Sequence, residues 1–165
     1  MRDTSFRNAA AFGKRIEYWI IGLLLKEGFD VFIPLVDEDG IDAIIRGNDG
    51  RKLDIQIKAR SGGVKFGSSA LFTVGQSHPE VRADYFFIFY SERLNDLWIM
   101  SSSDFIDKCV TTKSGLHEGN RSIWMNGKSK SKATEYPNPR FDEWRASKNG
   151  KLDFSRLSSA LTVGQ

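Results

Sequence analysis

The first pattern along the chain has helical period. Between residues 8 and 27, Phe12, Ile16, Trp19, Ile20, Leu23 and Leu24 fall on one broad face. Ile21 and Leu25 widen that arc, so the spacing predicts a helix packed on two sides. Gly28 follows the last periodic position and suits a helix C-cap. The period then changes. Short strands are predicted over 31–36, 41–46 and 52–60, and the third alternates cleanly. Leu53, Ile55 and Ile57 take one face of it, and Asp54, Gln56 and Lys58 take the other. An acidic turn over 37–40 separates the first two strands, and Gly47-Asn48-Asp49-Gly50 is a hairpin signal between the next two.

Residues 61–79 read as loop with a short strand near 70–74. The unbroken apolar run at 84–90 predicts a strand buried on both faces. A further strand over 97–100 precedes a short helix, capped by Ser103 and running to Cys109, where the cysteine reads as buried packing. Residues 122–126 suit an edge strand. The polar, basic, proline-bearing stretch 127–139 reads as loop, followed by short helices near 140–146 and 154–161. With no repeat and no linker, we expect one domain over 1–165, with a core at about 8–110 and a less regular extension over 111–165. A helix, then a mixed sheet with helices on its faces, is an α/β layer architecture.

Composition narrows the class. At 165 residues, 40% hydrophobic and 27% charged, the chain is an ordinary soluble globular sequence. Cys109 is its single cysteine, which excludes a disulfide framework and a cysteine-rich zinc site within one chain. The apolar run 19–25 is too short to span a bilayer, and the N-terminus lacks the apolar core of a secretory signal. A cytoplasmic location without membrane association is the expectation. The net charge of +3 is uneven: residues 1–54 carry 8 bases and 10 acids, and residues 55–165 carry 16 and 11. Residues 55–79 (Lys58, Arg60, Lys65) and 119–134 (Arg121, Lys128, Lys130, Lys132) hold bases and no acids. That pattern fits a polyanion partner and a solvated loop equally.

Four positions suit a metal site better than a plain fold. Asp42 follows Gly40-Ile41 at the start of the second predicted strand, and Gln56 and Lys58 share one face of the third. Strands joined by a tight hairpin lie about 4.8 Å apart, so side chains from both can converge on one ion. Glu17 sits inside the apolar arc of the helix, where a carboxylate must be paired, protonated or bound to a cation.

Glu17 on an N-terminal helix, Gly40-Ile41-Asp42, a hairpin and Gln56-Ile57-Lys58 resemble the PD-(D/E)XK nuclease superfamily. The likeness is nearest to its Mrr-like and Holliday-junction-resolvase-like branches and spans about residues 13–103. It departs from the pattern in two places, with Ile41 where proline is usual and Gln56 where glutamate is usual. Gln56 removes one anionic ligand, which lowers metal affinity unless Asp39, Asp54 or Glu17 compensates. The resemblance implies a restriction-endonuclease-like core and hydrolysis of DNA phosphodiester bonds with Mg²⁺ or Mn²⁺. It implies Asp42, the Gln56 side chain, the Ile57 carbonyl and Glu17 around the metal, with Lys58 orienting water and holding transition-state charge. Lys14, Arg60, Lys65, Lys128, Lys130 and Lys132 are the candidates for phosphate contacts. A homodimer follows by analogy, and a non-catalytic nucleic-acid-binding module that retains the fold is the alternative that Gln56 favours.

Overall fold

A computed structural model describes residues 8–36, 39–148 and 150–162. Helix α1 (Ala9–Lys26) starts at Asn8, whose side chain accepts from the Ala11 N–H, and so satisfies one of the orphan donors of the first turn. It stops at Gly28, which takes φ +90°; the Gly28 and Phe29 amides turn back onto the Leu25 and Leu24 carbonyls. This double return is a Schellman closure, and glycine carries its left-handed residue without strain.

Strands β1 (Asp30–Phe32), β2 (Ala43–Arg46) and β3 (Lys52–Arg60) follow as an antiparallel meander. After strand β4 (Leu71–Val74), strand β5 (Tyr85–Ser91) enters the sheet parallel to β3, and β6 (Asp96–Ser101) pairs antiparallel with β5. The central mixed sheet therefore runs β1-β2-β3-β5-β6. Every residue of β5 is buried, as its apolar run predicts. Phe86, Ile88 and Tyr90 join one core, while Tyr85, Phe87 and Phe89 join the other. Each such fully buried side chain contributes about 1.5–3 kcal/mol of transfer free energy.

The first core holds the α1 residues Phe12, Ile20, Ile21 and Leu24 against Leu53, Ile55 and Ile57 of β3. Helix α3 (Ser155–Thr162) covers the same face through Leu157 and Leu161. The second core lies under helix α2 (Ser102–Lys108), under the 3₁₀ helix Pro139–Trp144, and under a small antiparallel sheet. That sheet has the order β4-β8-β7, with β7 at Val110–Thr111 and β8 at Arg121–Trp124. The α2 N-cap is Ser101 rather than Ser103, because Ser101 and Asp104 close a capping box. Cys109 is the half-buried C-cap of α2, just beyond the helix itself.

Several expectations need correcting. Strand β1 ends at Phe32 rather than at residue 36. Pro34 offers no N–H to a ladder, and Ile33, Leu35 and Val36 are left exposed. Residues 127–139 are not a loop. Strands β9 (Asn126–Ser129) and β10 (Thr134–Pro137) form a hairpin, whose turn uses Ala133 at φ +49°. A short antiparallel pair, β11 (Ser147–Lys148) and β12 (Lys151–Leu152), follows where no strand is predicted. The Asp37-Glu38 part of the acidic turn lies outside the described residues. Among the described residues no helix is long and apolar enough to cross a membrane.

Candidate active site

Strands β2 and β3 are in register from Arg46↔Lys52 to Ala43↔Ile55. Beyond Ala43 the chain bends away through Asp39 (φ +59°) and Gly40 (φ +70°), so β3 continues from Gln56 onward without its β2 neighbour. At this fork the Asp42 N–H still donates to the Ile55 carbonyl at 2.9 Å. The Asp42 carboxylate then stands in for the missing strand, accepting the Ile57 N–H on Oδ2 at 2.7 Å. This bond fixes Asp42 against the middle of the Gln56-Ile57-Lys58 segment.

Gln56 points to the second-core side of β3 and is 5% exposed. Its Oε1 has no hydrogen-bond partner, a costly state for a buried amide oxygen. A Cβ on Gly40 would lie 2.2 Å from Gln56 Nε2, so only glycine lets the turn close over this side chain. The Tyr85 hydroxyl holds the turn from below by donating to the Gly40 carbonyl at 2.6 Å. Lys58 follows on the same face, partly buried and with no ion-pair partner among the described residues.

Glu17 lies on α1, on the first-core side of the sheet, and is buried. Its one partner among the described residues is Lys14, whose Nζ donates to Oε1 at 2.6 Å. That hydrogen bond raises the Lys14 pKa above the usual lysine range against a smaller cost of burial, and the Glu17 and Asp42 charges add to the rise. One ammonium thus feels carboxylates from both α1 and the β2 approach. No group of three His, Cys, Asp or Glu among the described residues is placed to hold a metal.

The remaining candidates lie apart from this fork. Asp54 is one strand pitch away, 4.0 Å from Arg82, and burial raises its pKa. The Asp39 carbonyl accepts from Arg82 at 2.8 Å. Arg60 turns to the Ser68 carbonyl at 3.2 Å, and Lys65 is exposed in the loop beyond. Lys128 of β9 lies across Gly67, whereas Lys130 and Lys132 are exposed at the hairpin turn. Glu135 of β10 ties hairpin to loop: it accepts from the Gly67 and Ser69 amides, Asn126 Nδ2 and Arg93. Neither Arg93 nor Glu135 stood out in the sequence, because the contact joins positions 42 apart with no local pattern. His78 is buried among Tyr85, Phe87 and Phe105 with Nε2 2.7 Å from Ser102 Oγ. Trp98 and Trp144 are buried, and Trp124 is 45% exposed on β8.

A hollow of about 470 Å³ between α3 and the 3₁₀ helix is lined by Trp144, Arg145 and Arg156, and none of the fork residues borders it.

No family model and no curated protein matches this chain by sequence. Solved structures do match it. The bacterial homing endonuclease I-Ssp6803I superposes with a TM-score of 0.52 at 20% identity, covering 84% of this chain and 86% of that one. The Holliday junction resolvase Hjc of Archaeoglobus fulgidus superposes with a TM-score of 0.42 at 16% identity, covering 67% and 82%. With its N-terminal helix, mixed central sheet and the first of these likenesses, the chain has a restriction-endonuclease-like fold.

Proposed function

We propose that this protein is a divalent-metal-dependent endonuclease that hydrolyses phosphodiester bonds in DNA, with Mg²⁺ or Mn²⁺ as cofactor. One observation carries the reading: Asp42 is held on the Ile57 amide at a strand fork, beside a buried Gln56 oxygen that has no partner. The fold likeness to a homing endonuclease supports it.

The donor set suits a hard cation. Asp42 and Glu17 supply carboxylate oxygens, and Gln56 Oε1 supplies a neutral oxygen whose burial is otherwise unexplained. The Ile57 carbonyl completes the set, since in extended backbone it projects to the same edge as the N–H that Asp42 accepts. A bound cation would polarise the scissile phosphate and acidify water. The chain's own groups do the rest. Asp42 and Gln56 keep a fixed geometry because both are anchored to β3. Lys58, on the Gln56 face and uncommitted, orients the attacking water and holds the charge that builds on the phosphate. Lys14, Arg60, Lys65, Lys128, Lys130 and Lys132 meet neighbouring phosphates, each adding to salt-dependent affinity.

Incubation with supercoiled plasmid, single-stranded DNA and a four-way junction, in Mg²⁺, Mn²⁺ or EDTA, tests this. Metal-dependent cutting is expected, and the preferred substrate names the DNA form. Gln56 supports a second reading, a nucleic-acid-binding module without catalysis. Salt-sensitive DNA binding with no cutting in either metal would replace the first reading with that one.

A further inference from the structure

Lys14 lies one helical turn before Glu17, and its side chain is 56% exposed while that of Glu17 is 11% exposed. The pair differs from Arg46–Asp30, in which both partners face solvent at 46% and 52%. In Lys14–Glu17 a solvent-borne ammonium reaches inward to a carboxylate that has no other partner among the described residues. The same ammonium lies in the field of Asp42, which approaches from a different element. A buried carboxylate left without a cation is costly. A lysine suits reversible neutralisation, being a compact charge on a flexible stem that can withdraw to water.

On the metal-dependent reading above, we propose that Lys14 is a placeholder cation. It neutralises Glu17 in the metal-free protein and is displaced from it by the divalent ion. Lys14 then extends to a DNA phosphate beside the site. Metal and Lys14 compete for one carboxylate, so loading with metal also releases a DNA contact. This makes Lys14 a positioning residue that acts through Glu17.

Calorimetric titration of Mn²⁺ into the full chain and into Lys14→Met tests the competition without any activity readout, and melting curves with and without Mn²⁺ accompany it. Lys14→Met keeps most of the stem and loses the charge. The variant is expected to bind Mn²⁺ roughly three- to tenfold more tightly, the size set by removing one partly exposed charge. It should melt below wild type without metal, and saturating Mn²⁺ should abolish that difference. Equal or weaker Mn²⁺ binding by Lys14→Met overturns the placeholder role but leaves the metal site standing. An equal melting deficit with and without Mn²⁺ also overturns it, since that is how a structural ion pair behaves. No Mn²⁺ binding to either protein overturns both the placeholder and the metal-dependent reading.

Discussion

Glu135 and Glu17 both have side chains withdrawn from water, at 2% and 11% exposure, yet they are partnered in opposite ways. Glu135 accepts from two backbone amides, an asparagine and an arginine. Burial alone would raise its pKa, but the bonds from Ser69 and Arg93 outweigh that and hold it below the ordinary glutamate range. Glu17 has one partner, a lysine that can leave. A saturated carboxylate has no lone pair to offer and acts as a fastener. An undersupplied one, whose single donor is a half-exposed lysine, keeps lone pairs for a cation. In this molecule the number of donors around a buried acid separates the fastener from the candidate ligand.

The widest separation is expected in cleavage. Asp42→Asn and Lys58→Ala should each lower DNA cutting at least ~1,000-fold, about 4 kcal/mol of transition-state stabilisation, in a plasmid-nicking assay. Retained cutting by either variant would remove that residue from the chemistry. Stability should then separate the two glutamates in the other direction. Glu135→Ala strands Arg93, Asn126 and two amides, and should cost about 3 kcal/mol by urea denaturation. Glu17→Gln should cost less than about 1 kcal/mol, because its one partner, Lys14, is more than half exposed and solvent-screened, and glutamine keeps the side chain's size. Equal losses would erase the distinction drawn here.

A third test uses pH. His78 is pushed down to about 4, chiefly by desolvation, with Arg82 and Arg121 adding repulsion. The unfolded chain binds that proton near 6.5, so acid favours unfolding, and the contribution is whole only above that pH. Stability should fall by about 1.5 kcal/mol between pH 6.5 and 5, above the range where Glu135 titrates. A His78→Gln variant should flatten this slope, and an unchanged slope would assign it to other groups. The smallest effect is a gain. Gln56→Glu restores a third anionic oxygen at the fork and should tighten Mn²⁺ binding about tenfold, near 1.4 kcal/mol. Weaker binding would mean that the Gln56 side chain is not aimed at the cation.

Much of the fold was legible because its signals are local. The α1 stripe, the β3 alternation and the run at β5 each report their own burial. Asp42, Gln56 and Lys58 could be singled out because β2 and β3 are hairpin neighbours, so proximity followed from sequence. The C-terminal part was harder, for physical reasons. The β9–β10 turn uses Ala133 where glycine or asparagine would announce a left-handed residue. The Glu135 cluster joins residues far apart in the chain, and no spacing reports it. The role of Gly40 depends on a side chain sixteen residues away, which turn chemistry alone does not reveal.

The central claim is that the Asp42 fork binds the cation that cleavage needs. Calorimetric titration of Mn²⁺ into wild type, Asp42→Ala and Glu135→Gln tests it most directly. The account predicts binding to wild type and Glu135→Gln with similar affinity, and loss of binding in Asp42→Ala. Unchanged Mn²⁺ binding by Asp42→Ala would contradict it.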